Sequence, residues 1–370
     1  MDVNPLANPK GVKLLCELCR IPAFIQCKGC KVTYYCSREH QKADAVGIHD
    51  KVCSRLALLR QPVQFWPSKE EREKRYKAMQ LEKIELIEMA RTLAQKMLFE
   101  GKHEESVPAA MLSLRYAIDV YGVSTIELVP SYLIMAEASI GLGNLVQAEE
   151  YLAKADWTIL KTPDCTKAIK SRLYRNLGLL YVAKGDFQEA LVNFADDIYN
   201  SSHEFGTDDI RTSGGYFHMA NVFFRQGRRD IADSMYKQVI SIWYEYLNHT
   251  LTVNISAQED ESRRKSKMLN SAKTLMEEIS SGLDEAQEAE AIQILSSIHN
   301  IKEHQPDRQS KDLAQTCHNL AMLYFLMGDL NKAKEYGRKS IVASDQVKDD
   351  KFSKSLVEFM KLCERQIVSN

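Results

Sequence analysis

At 370 residues the chain exceeds one ordinary domain, so a small module beside a larger body is expected. Its 49 lysines and arginines balance 50 aspartates and glutamates, and a net charge of −1 excludes any global attraction for phosphate backbones. No apolar run approaches the roughly 18 residues of a membrane span, and Met1 to Pro5 lack the character of a signal peptide. A soluble, intracellular protein is expected, with neither nucleic acid nor membrane as partner.

After a tail over residues 1–15, the chain reaches a dense group of metal-binding residue types. Six of nine cysteines fall within the first 53 residues, which in a reducing compartment points to zinc rather than disulfides. The candidate ligands form four pairs: Cys16 and Cys19, Cys27 and Cys30, Cys36 and His40, His49 and Cys53. A CxxC hairpin turns two thiolates toward one metal, and partners about one helical turn apart share a face. Eight ligands make two closed tetrahedral sites, and a closed site leaves no position for water or substrate. Two structural Zn2+ ions are expected.

The spacing Cys16-x2-Cys19-x7-Cys27-x2-Cys30-x5-Cys36-x3-His40-x8-His49-x3-Cys53, with Tyr34 and Tyr35 before Cys36, resembles the MYND finger over residues 16–53. The resemblance implies interleaved sites, with Cys16, Cys19, Cys36 and His40 on one zinc and Cys27, Cys30, His49 and Cys53 on the other. It also implies either a module that accepts proline-containing peptides or a structural cap for the neighbouring domain. Two departures stand out. His40 replaces a usual cysteine at little cost to zinc binding, and Ala45 stands where a tryptophan commonly supports the second site.

Residues 54–77 read as a tether, with Pro62, Phe65, Trp66 and Pro67, followed by a solvated helix start in the charge run Lys69 to Lys77. From about Ala78 to residue 370 the composition and apolar spacing are helical. Gly101, Gly143, Gly185 and Gly227 follow one another at intervals of 42 residues. Five positions after each comes a small residue: Ser106, Ala148, Ala190 and Ala232. Gly328 and Ala333 form a fifth copy. Gly122, Asp164, Gly206 and Asn248 repeat the interval half a period away, so one series predicts turns within helix pairs and the other turns between pairs. Gly282 and Ala286 open a degenerate copy, preceded by an insertion near residues 250 to 270.

These repeats resemble tetratricopeptides with the longer helices of kinesin light chain. The predicted fold is therefore all-α: a superhelical solenoid of five recognisable repeats plus one degenerate, behind a two-zinc finger. Aligning the copies puts Arg172, Arg175, Phe217, Asn221, His318 and Met322 on the inner face as candidate partner-binding residues, with Phe217 and Met322 equally readable as core.

No phosphate loop, nucleophile elbow, HExxH helix or kinase signature occurs, so no enzyme is expected. A methyltransferase joining a MYND finger to a SET domain is disfavoured, because in that family SET sequence precedes the finger and fifteen residues precede Cys16 here. A zinc-dependent transcriptional co-regulator lacks a basic recognition helix. The order of finger and repeats, with segments such as Phe99 to Glu104 and Ile210 to His218, resembles MYND-finger proteins that carry a tetratricopeptide array. That likeness implies a non-enzymatic adaptor of cilia or sperm flagella. Its implied partners are other tetratricopeptide or axonemal proteins, with proline-containing peptides at the finger.

Overall fold

The computed structural model describes residues 14–60, 67–267, 282–304, 310–344 and 350–369. Residues 54–60, expected as the start of a tether, are instead the end of a helix in which Leu56 is buried; Pro62, Phe65 and Trp66 fall outside the described residues, as do the N-terminal tail as far as residue 13 and the last part of the expected insertion. The chain divides into two units, Met1–Asp186 and Phe187–Asn370.

One hydrogen-bond pattern recurs and defines the repeats. Gly101, Gly143, Gly185, Gly227 and Gly328 all have positive φ, between 75° and 83°. The amide after each glycine donates five residues back: Lys102 to Met97, Asn144 to Ser139, Asp186 to Tyr181, Arg228 to Phe223 and Asp329 to Tyr324, at 2.8 to 2.9 Å. Each glycine amide bonds three residues back, completing the same Schellman closure five times. A side chain other than glycine pays a left-handed backbone penalty here, which is why the residue recurs. The small residues five positions on, Ser106, Ala148, Ala190, Ala232 and Ala333, are all fully buried.

In the first unit a two-stranded ribbon, β1 (Ile25–Gln26) with β2 (Tyr34–Tyr35), precedes α1 (Arg38–Asp44). A π-helical turn (Ala45–His49) leads into α2 (Asp50–Arg60). The helix pairs follow: α3 (Lys69–Phe99) with α4 (His103–Tyr121), and α5 (Val129–Gly141) with α6 (Leu145–Leu160); α7 (Lys167–Lys184) packs on both members of the second pair. The charge run opens α3, where the Ser68 hydroxyl accepts from the Glu71 amide and residues 69–77 are exposed.

In the second unit α8 (Phe187–Phe205) packs on α9 (Ile210–Arg225), which pairs with α10 (Arg229–Lys267). Then α11 (Glu285–Glu303) and α12 (Ser310–Leu326) pack together, α12 pairs with α13 (Leu330–Ser344), and α14 (Asp350–Ser369) covers α13. Gly122, Asp164 and Gly206 lie between helices as expected, but the turn expected at Asn248 does not form. Neither glycine nor proline interrupts Arg229–Lys267, and Leu247 and Leu251 remain in the core across that point, so α10 runs through. The expected insertion, as far as Lys267, is thus a helical extension of α10. Gly282 has a φ of +70°, and Asp284 caps α11 with Gln287 in a capping box. Lys302, 2 % exposed, ties this core together by reaching Asp233 at 2.8 Å and Asp312 at 3.3 Å.

Candidate metal centre

The finger is built on two like turns. Each CxxC ends in a residue with left-handed backbone, Arg20 (φ 62°) after Cys19 and Lys31 (φ 59°) after Cys30. Their amides donate to the Cys16 and Cys27 carbonyls at 3.1 and 3.2 Å, which folds each pair of thiols toward one point. His40 is aimed by α1, whose N-cap Ser37 accepts from the His40 amide. The π-helical turn and α2 deliver His49 and Cys53.

These elements gather two clusters. Cys16, Cys19, Cys36 and His40 form one, and Cys27, Cys30, His49 and Cys53 the other, with the ligand atoms of each within 4.8 Å of one another. In the first, Cys16 Sγ lies 3.4 Å and Cys36 Sγ 3.2 Å from His40 Nδ1, and Cys19 Sγ lies 3.4 Å from Cys36 Sγ. In the second, His49 Nε2 is 3.2 Å from Cys27 Sγ and 3.7 Å from Cys30 Sγ, while Cys27 and Cys53 are 3.9 Å apart. A zinc tetrahedron has edges of about 3.8 Å between sulfurs and about 3.5 Å between sulfur and nitrogen. Both clusters fit it. Each is a Cys3His set that takes one structural zinc, and the interleaving agrees with the pairing that the resemblance implied.

The electrostatics favour metal. Burial opposes ionisation of Cys16 and Cys27, but backbone amides of their own CxxC turns, with His40 and His49, hold these thiols down to about 6 and 7. Burial and the neighbouring thiols push Cys36 and Cys53 up to about 11 and 12, the mutual repulsion that a dication removes. Two supporting residues escaped the sequence reading. Asp44 places Oδ2 3.4 Å from His49 Nδ1 and accepts from the Tyr35 hydroxyl at 2.7 Å, a carboxylate behind the ligating imidazole. Gly29 leaves room for a ligand, since a Cβ there would stand 2.9 Å from Cys53 Sγ.

The finger also packs directly on the repeats. Ile48, Val52 and Leu56, each at most 1 % exposed, belong to one hydrophobic cluster with Leu86, Ile87 and Ala90 of α3, Ala109 of α4 and Met135 of α5. That cluster gives the second site apolar backing despite Ala45. Gly47 touches α4 so closely that a Cβ would meet the Glu105 carbonyl oxygen and Pro108 Cγ, each at 2.8 Å. Arg60 forks onto Glu17 with both bonds at 2.9 Å and reaches the Tyr116 hydroxyl at 3.2 Å. Arg115 of α4 donates to the Glu17 carboxylate and carbonyl as well. Glu17 is 8 % exposed, and the two guanidinium groups hold its carboxyl below the usual range against the opposing effect of burial. Only position, not residue type, distinguishes Glu17 and Arg115 in the sequence, which is why spacing could not find them.

The candidate partner residues divide. Phe217, His318 and Met322 are 4 %, 1 % and 0 % exposed and are core, so their assignment to a binding surface is corrected. Phe217 packs edge-on to His218, and His318 stands among Tyr244, Phe352 and Phe359. Asn221 is half-buried and accepts from the Tyr236 hydroxyl at 2.6 Å. Arg172 is exposed and Arg175 half-buried on α7.

A Cys–His–Glu group outside the finger lies beside a cavity of about 300 Å³ between α11, α12 and α13. Cys317 Sγ is 3.6 Å from His299 Nδ1, and His299 Nε2 is 3.7 Å from Glu303. Burial pushes the Cys317 thiol up to about 12 and the His299 imidazole down, so neither is in the charged form an activated pair requires.

Comparison with known proteins agrees with both parts. Residues 16–53 match the MYND finger family, and residues 314–341, spanning the turn from α12 to α13, match a tetratricopeptide repeat. Among solved structures the chain is similar to BtubC (BKLC) from P. vanneervenii, at 14 % identity over 71 % of this chain and 92 % of that one, with a TM-score of 0.32. It is similar to the apo form of RapI at 12 % identity, over 77 % and 72 % of the two chains, TM-score 0.39. PilF of Pseudomonas aeruginosa gives 12 % identity, 75 % and 98 % coverage and a TM-score of 0.33. By its two family matches the chain joins a MYND zinc finger to tetratricopeptide repeat sequence, both of them families of interaction modules.

Proposed function

We propose that the protein is a non-enzymatic adaptor whose finger caps the repeat body, and that it serves an assembly of the ciliary or sperm-flagellar axoneme. The observation that carries the reading is the core shared by Ile48, Val52 and Leu56 with α3, α4 and α5. A peptide reader on a flexible tether has no need of such a core, whereas an end repeat needs its outer apolar face covered. Zinc at closed sites supplies structure only, since no open coordination position serves chemistry. Recognition of partners falls to the repeats, with Arg172 and Arg175 on α7 as the retained candidates. The cytoplasmic and axonemal setting rests on the sequence resemblance.

The test is affinity purification from ciliated cells or sperm, comparing the intact chain with Arg172→Glu/Arg175→Glu and with a finger-surface variant, Phe24→Ala. Phe24 is 57 % exposed on the finger. Recovery of axonemal or tetratricopeptide proteins that is lost in the arginine variant and kept in the Phe24 variant supports the reading. Recovery that depends on Phe24 alone transfers recognition to the finger, and absence of axonemal proteins removes the proposed setting.

A further inference from the structure

The outer face of α6 is apolar where an isolated solenoid helix would be polar. The helix buries Ala148, Leu152, Ala155 and Ile159. On the opposite side Val146 is 74 %, Trp157 61 % and Leu160 71 % exposed, and Ala153 between them is exposed too. At 100° per residue these four positions fall in one stripe. Scattered exposed hydrophobics need no explanation, but four aligned on one helix face, one of them a tryptophan, mark an interaction surface.

The charges beside the stripe say what covers it. Numbered as a heptad, Val146, Ala153 and Leu160 take d, and Glu150 and Trp157 take a. Glu149 and Asp156 then take g, and Lys154 and Lys161 take e; all four are exposed. In a parallel pair each g residue faces the e residue five positions further along the partner helix. Glu149 then meets Lys154, and Asp156 meets Lys161, each pair occurring twice about a two-fold axis. An antiparallel pair would instead set the acidic flank against itself and the basic flank against itself. We propose that this face receives a second copy of the chain, α6 against α6, parallel and two-fold symmetric. Ala153 at the middle of the stripe lets the helices approach. Glu150, the charged residue in the seam, weakens the pair while fixing its register, as a polar a residue does in a zipper. Association must also redirect existing contacts: Lys184 holds Glu149 at 2.5 Å, and Lys161 Nζ lies 4.6 Å from the centre of the Trp157 ring. The pair is accordingly a weak one. The inference is independent of the axonemal setting.

Sedimentation equilibrium of the full-length, zinc-loaded protein over roughly 1 to 100 µM tests it. The expected result is a concentration-dependent dimer. Trp157→Glu and Lys161→Asp should each raise the dissociation constant about tenfold or more. Asp156→Lys combined with Lys161→Asp restores complementarity and should recover the wild-type constant, while Glu150→Leu should tighten it. The substituted side chains are exposed, and unchanged helical circular dichroism checks the fold. A monomer at every concentration overturns the proposal, even if α6 captures a helix of another protein. So does a dimer indifferent to Trp157→Glu, and failure of the double exchange to restore association overturns the parallel register.

Discussion

Leu56→Ala separates an integral cap from a tethered finger. Leu56 lies three residues beyond the ligand Cys53, is itself no ligand, and is 1 % exposed in the cluster formed with α3, α4 and α5. The substitution removes three carbons at about 0.8 kcal/mol each, some 2.4 kcal/mol, and the partly unfilled cavity raises the cost to about 3 kcal/mol. Because the lost contacts cross from finger to repeats, helices α3 and α4 should open more often. At about 1.4 kcal/mol per decade, 3 kcal/mol corresponds to roughly hundredfold faster amide exchange in their most protected segments. Hydrogen exchange read by mass spectrometry follows those peptides, and metal analysis of the same sample should still give two zincs per chain. Native exchange in α3 and α4, with destabilisation confined to the finger, would refute the reasoning.

Wild-type protein should carry two zincs, and Cys27→Ser should abolish the second site, since structural zinc supplies about 10–16 kcal/mol in finger peptides; a variant that still holds two would show that Cys27 is no ligand. Gly227→Ala meets no steric neighbour but must hold φ at +77°, so calorimetry should show a loss of about 1 kcal/mol. Burial holds the His318 imidazole down to about 4, against ~6.5 for an unfolded histidine. The unfolded chain therefore takes the proton first: the stability contribution is complete above 6.5 and falls by about 3 kcal/mol as the pH drops to 4. His318→Phe, among Tyr244, Phe352 and Phe359, should flatten that part of the urea-denaturation profile.

The two parts of the molecule were legible for different reasons. Cysteine and histidine at fixed spacing leave few choices, so both metal clusters could be read, though their interleaving came from likeness to known fingers. The turn glycines were legible because a left-handed residue recurring every 42 positions has a single local cause. Asn248 misled because periodicity was extended past the point where Leu247 and Leu251 keep α10 helical. His318 and Met322 misled because a helix buried on both sides has no inner face to offer. Glu17, Arg60 and Arg115 come from three distant segments, and an ion pair between chain positions 98 residues apart leaves no mark in either neighbourhood.

The claim that zinc holds the end of the repeat body is tested most directly by removing the metal. Hydrogen exchange of the full-length protein, before and after exhaustive chelation, reports on every helix at once. If the finger is the cap, chelation strips protection from α2, α3 and α4 together and leaves α9, α10, α12 and α13 protected. Loss confined to residues 16–60, with α3 and α4 as protected as in the zinc-loaded protein, contradicts it.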